Sequence, residues 1–149
     1  VMRIAIITFL LFIVSHSGFS QNKPSSWTLL QQEDEIMVYY KYAQCQPRMG
    51  YDQELVLLKF VNNSGVMTKE IEWDLEEYRN GNCITCKNLN EYHMKITLIP
   101  LQKLEGNCTV ECDYKLKIFS KFTEKGISDE DQKLLTKFKL ANLTVKKIN

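Results

Sequence analysis

Five cysteines are the residues of this chain best equipped for chemistry: Cys45, Cys83, Cys86, Cys108 and Cys112. Disulfides are their expected state, because the chain opens with an export pattern and thiols oxidise outside the cytoplasm. An odd count leaves one thiol unpaired or bonded to another chain. Cys83-Ile84-Thr85-Cys86 also has the spacing of a zinc half-site. Three thiolates, from Cys45, Cys83 and Cys86, together with the His93 imidazole would make a closed zinc site. A redox role for Cys83 and Cys86 would need a thioredoxin-type βαβ setting.

Other chemistry is thinly represented. His16 falls inside the export pattern, which leaves His93 as the single side chain able to act as a base near neutral pH. No nucleophile elbow, His-Glu-x-x-His or phosphate loop occurs. Glu70/Glu72 and Glu76-Glu77 read as solvated faces rather than as carboxylates across a cleft. The chain is therefore expected not to be an enzyme and to need no cofactor. Lys+Arg 19 against Asp+Glu 18 gives no basic excess for nucleic acid. The basic run Lys133, Lys137, Lys139, Lys146 and Lys147 reads as solvated strand faces. Asn62-Asn63-Ser64, Asn107-Cys108-Thr109 and Asn142-Leu143-Thr144 match the N-glycosylation sequon. Tyr39, Tyr40, Tyr42 and Tyr51 could form a stacking surface for sugar or protein, although Tyr is also simply a good strand former.

The elements that must position these groups are strands. Arg3, an apolar run from Ile4 to Val14, and small polar residues up to Ser20 make a signal peptide with a cut before Gln21. The run is too short to span a bilayer, and no second one follows. Residues 21–149 then form one domain. Period-two alternation predicts strands over 27–31, 36–44, 54–62, 66–75, 92–100, 114–122 and 137–147. The last of these carries an irregularity near Ala141-Asn142. Ile36, Val38, Tyr40 and Tyr42 share one face, and Met67, Ile71, Trp73 and Leu75 another. Tyr92, Met94, Ile96, Leu98, Tyr114, Leu116 and Ile118 point inward, and Trp73 is the natural core centre. Asn62–Gly65, Asn80–Asn82 and Glu105–Asn107 read as turns. Ser128 and the acids after it predict a helical turn or two, or a mobile loop, before the last strand. Seven strands at this spacing point to an all-β, two-sheet antiparallel sandwich of immunoglobulin-like type.

Alternating strand direction sets the cysteines at two ends. Cys45, Cys83 and Cys86 fall at one end, and Cys108 and Cys112 at the other. A disulfide needs Cα atoms within about 7 Å, so Cys108 is expected to pair with Cys112. At the first end, Cys83–Cys86 and a bridge from Cys45 to either of them remain open.

Three stretches carry a resemblance: Glu54–Asn62, Tyr78–Cys86, and Gly106–Cys108 with Leu116–Phe122. Together they resemble small exported β-sandwich proteins of Bacteroidota-type bacteria, a group with no assigned activity. The resemblance implies a periplasmic or secreted location. Cys112 fits that pattern least. With Cys112 as the odd thiol, Cys45 or the Cys83/Cys86 pair would bond Cys108 instead. The reading that follows is an exported, non-enzymatic binding or structural module. Its partner would be an envelope or extracellular protein or glycan, met through sheet faces or through the loops Gln44–Gln53 and Glu76–Glu91. The alternative is a thiol-disulfide or zinc protein using Cys45, Cys83, Cys86 and His93.

Overall fold

The computed structural model describes residues 23–47, 50–88 and 90–148, so the export pattern lies outside the described residues. Nine strands occupy them: β1 (Thr28–Glu33), β2 (Ile36–Cys45), β3 (Gln53–Asn62), β4 (Thr68–Arg79), β5 (Asn82–Cys83), β6 (His93–Leu98), β7 (Lys103–Glu105), β8 (Lys117–Phe122) and β9 (Leu135–Ile148). One sheet runs β1-β2-β3, with β7 and β8 following one another along the far edge of β3. In the other, β4 is central, β9 lines one edge, and β5 then β6 line the opposite edge. Every pairing is antiparallel. The protein is thus an all-β sandwich of two antiparallel sheets, and all seven expected strands are present.

The alternation that predicts the strands also builds the core. Ile36 and Val38 from β2, Val56, Leu58 and Phe60 from β3, and Ile71 and Trp73 from β4 are buried between the sheets. Trp73 stacks on Phe60 with centroids 4.8 Å apart. β3 is buried on both faces because Trp27, Ala43 and Phe119 cover Leu55 and Leu57 from outside.

Several expectations change. Tyr114 does not point inward: it lies in a 3-10 turn, Tyr114–Leu116, and is exposed. The acidic stretch after Ser128 makes one 3-10 turn, Asp129–Asp131. The irregularity in the last strand is a bulge opposite Trp73, where Asn142 takes φ +53°.

The cysteine pairing is corrected. Cys45 bonds Cys108, Cys83 bonds Cys86, and Cys112 is a free thiol. The reason is β7. It has three residues, too few to show a period, and it pairs antiparallel with β3 at Lys59–Val61. That short pairing turns the chain around and carries it back along β3 to the end where Cys45 lies. Gly106 makes the passage possible. Its N–H donates to Leu58 O, and a Cβ there would stand 2.3 Å from Leu116 O.

At the other end of the sandwich, buried Asn62 ties together two loops that cross between the sheets. Its Nδ2 donates to Met67 O at 2.9 Å and Ile99 O at 3.1 Å, and its Oδ1 accepts from Ser64 N. Lys69 is fully buried on the inward face of β4, and its ammonium reaches Asp34 at 2.6 Å and Glu35 at 3.0 Å in the β1–β2 turn. We call this the Lys69 end.

Candidate functional site

The opposite end holds polar groups where the strand pattern calls for apolar ones. Glu54 sits on the inward face of β3, next in line to Val56 and Leu58, and is buried. A carboxylate taken out of water needs partners. Ser120 Oγ donates to its Oε1 at 2.6 Å, Gln44 Nε2 donates to its Oε2 at 3.4 Å, and Lys23 Nζ supplies the countercharge. Arg79, at the end of β4, spans the two sheets. It donates to Phe119 O at 2.6 Å, Ser120 O at 3.1 Å and Lys133 O at 3.2 Å, and pairs with Glu77 at 2.9 Å.

Beside this cluster the sheets part. Leu30 of β1 and Tyr40 and Tyr42 of β2 face Leu135 and Phe138 of β9 across a cleft of about 350 Å³. Tyr40 and Phe138 meet edge to face, with centroids 5.5 Å apart. Lys23 and Pro24 on one side and Thr136 and Lys137 on the other form the rim. The segment that carries Lys23 and Pro24 runs beside β2, since Tyr42 N–H donates to Pro24 O at 2.7 Å. It places the Lys23 ammonium 4.9 Å from the centre of the Tyr42 ring. The Tyr42 phenol is pushed up to about 12, first by burial and then by the Glu54 carboxylate and Tyr40, so it stays neutral. An apolar floor with a few converging polar groups is the usual make-up of a small-ligand or side-chain pocket.

The residues singled out from sequence are dispersed. Three of the four groups of the zinc reading are cross-linked: Cys45 with Cys108, and Cys83 with Cys86. His93 lies on the outer face of the β4 sheet, its Nδ1 2.9 Å from Asp74 Oδ1. Among the described residues no three His, Cys, Asp or Glu side chains are grouped to hold a metal ion. No helix among them is long and apolar enough to cross a membrane. The outer face of β4 is a lattice of ion pairs, as its alternation implies. Hydrogen bonds from Lys95 and Lys146 hold the Glu72 carboxyl down to about 2, and Asn142 and then His93 hold Asp74 below the usual range. Lys139 approaches Glu76 at 3.7 Å. The four tyrosines divide: Tyr40 and Tyr42 line the cleft, Tyr39 lies on the outer face beside Lys59, and exposed Tyr51 packs on Phe122. Of the sequons, Asn62 is buried, while Asn107 and Asn142 are exposed.

Lys23, Glu54, Arg79 and Thr85 carry this end, and sequence reasoning passed over all four. Thr85 closes the gap between β5 and β6. Its hydroxyl donates to Leu75 O and accepts from Glu77 N–H. A charged residue at an inward position of an otherwise apolar strand is the signal that marks Glu54. No family model, curated protein or solved structure matches the chain.

Proposed function

We propose that the protein is an exported, non-enzymatic binding module, secreted or periplasmic, whose ligand enters the cleft between β2 and β9. The observation that carries this is the cleft itself. Five apolar or aromatic side chains, Leu30, Tyr40, Tyr42, Leu135 and Phe138, surround a space large enough for a side chain or small molecule. A module built only to fold would close its sheets there as it does around Trp73. The binding reading is supported by where the chemistry lies, because His93 and free Cys112 line no part of the cleft. Two disulfides fit an oxidising compartment. The partner would be an envelope or extracellular protein or glycan.

Titration with an apolar fluorescent probe tests the reading. Saturable binding is expected, and Leu30→Lys, on the half-buried cleft wall, should abolish it in a protein that still unfolds cooperatively. Absence of saturation, or equal binding by the variant, would refute the reading.

A further inference from the structure

One residue of the cleft rim, Lys23, is itself held as a bound cation would be. The Glu54 side chain is 9 % exposed and fixed by β2, β3 and β8, whereas the Lys23 side chain is 40 % exposed and arrives on a segment that precedes β1. The carboxylate is therefore part of the sandwich and the cation is brought to it. The receiving groups are the Glu54 carboxylate, the face of Tyr42 and the Tyr42 backbone N–H. Carboxylate and aromatic face together recognise an ammonium, and the N–H recognises an extended backbone beside it.

We propose that this cleft binds a lysine side chain on an extended segment of a partner protein, with Lys23 of the chain itself as the resident competitor. The proposal rests on the cleft being a binding site and adds the chemistry of its ligand. Charge decides the class. Any segment that enters deeply displaces Lys23 and leaves Glu54 buried without its cation, a costly state. An anionic group in the place of the Lys23 ammonium would meet that carboxylate directly. A lysine restores the ion pair and the ring contact, and its neighbours reach Tyr40, Leu30 and Phe138. The other basic rim residue, Lys137, is held 5.2 Å over the Tyr78 ring on the outer face of β4 and does not reverse this preference. Because Lys23 is tethered, it competes at an effective concentration of about millimolar, which keeps the affinity of the intact chain low.

The test uses the full chain and a fluorescein-labelled hexapeptide, Gln-Asn-Lys-Pro-Ser-Ser, patterned on residues 21–26. Fluorescence anisotropy should show the peptide binding Lys23→Ala about tenfold more tightly than the parent protein. Acetylating the peptide lysine should remove that gain. Glu54→Gln in the Lys23→Ala background should remove it too. Tyr42→Leu, which keeps an apolar inward side chain, gives the same readout if Glu54→Gln fails to fold. Equal binding of the free and acetylated peptides to Lys23→Ala overturns the proposal. So does a parent protein that is dimeric and becomes monomeric as Lys23→Ala, because the occupant is then Lys23 of a second copy. If the apolar probe saturates the cleft while the peptide does not bind, the lysine proposal falls and the binding module stands. If neither binds, both fall.

Discussion

The two ends of the sandwich place buried charge in opposite settings. At the Lys69 end the cation is inside and its carboxylates, Asp34 and Glu35, are 44 % and 46 % exposed. At the Arg79 end a carboxylate and a cation are both inside, each with its own partners: Glu54 is held by buried Ser120 and by Lys23, which is 40 % exposed, and Arg79 donates to three backbone carbonyls and to Glu77. The first arrangement plugs an end by a snorkelling side chain. The second leaves a cleft beside it and carries both disulfides, Cys45–Cys108 and Cys83–Cys86. The end that is less well filled by apolar side chains is the end that is covalently stapled.

Removing the long staple should hurt most. Cys45–Cys108 closes a separation of 63 residues, and Cys83–Cys86 closes 3. Chain entropy assigns about 4 kcal/mol to the long link and about 2 kcal/mol to the short one. Urea titration of the Cys45→Ala/Cys108→Ala and Cys83→Ala/Cys86→Ala proteins measures both. Equal losses would mean that the disulfides act on native geometry rather than on the unfolded chain. A non-reducing peptide map of the parent protein should show the same two links and one free thiol at Cys112.

The same replacement by methionine at the two buried cations comes next. Arg79→Met leaves three carbonyls and the Glu77 carboxylate without their donor, at a cost of about 3 kcal/mol. Lys69→Met should cost a small fraction of that, because Asp34 and Glu35 simply return to water and the apolar stem is kept. Denaturant midpoints of the two variants decide it. A Lys69→Met loss as large as that of Arg79→Met would erase the distinction between the ends. Gly106→Ala is smaller, about 2 kcal/mol, since the new Cβ meets backbone that must shift. It should also lower the yield of the Cys45–Cys108 link, because this close passage is the one that delivers Cys108.

Strands, core face and ends were legible because burial writes itself into alternation. Ile36, Val38, Met94, Ile96 and Leu98 all lie inward as their spacing implies, and Trp73 is central. The grouping of Cys45 with Cys83 and Cys86 was legible for the same reason. β7 was not: three residues ending at Glu105, with Gly106 directly after them, look like a turn, and their pairing with β3 depends on a neighbour more than 40 positions earlier. That one unseen reversal misdirected Cys108. The cleft was hidden differently. Alternation says that Tyr40 and Tyr42 face inward, but it does not say that the opposite sheet stands off from them. Nor does it mark Lys23, which belongs to no strand.

The smallest effect separates the ends by pH. Asp34 has its carboxyl lowered from 3.8, first by the hydrogen bond from Lys69, while burial opposes it. A carboxyl depressed in the folded state stabilises above its unfolded value, and that contribution fades as pH falls toward the folded value. The Lys69 end should therefore loosen below about pH 3.8. Because Asp34 is substantially exposed, salt should weaken the effect. Amide exchange of Asn63, whose N–H donates to Glu35 O, reports on this turn. After correction for intrinsic exchange, its protection should fall in acid in the parent protein and stay flat in Asp34→Asn. The N–H of Thr123, bonded to Asp52 O at the Arg79 end, is the reference. Equal acid sensitivity at the two amides would show that the whole sandwich opens at once, and that the ends differ in structure but not in local stability.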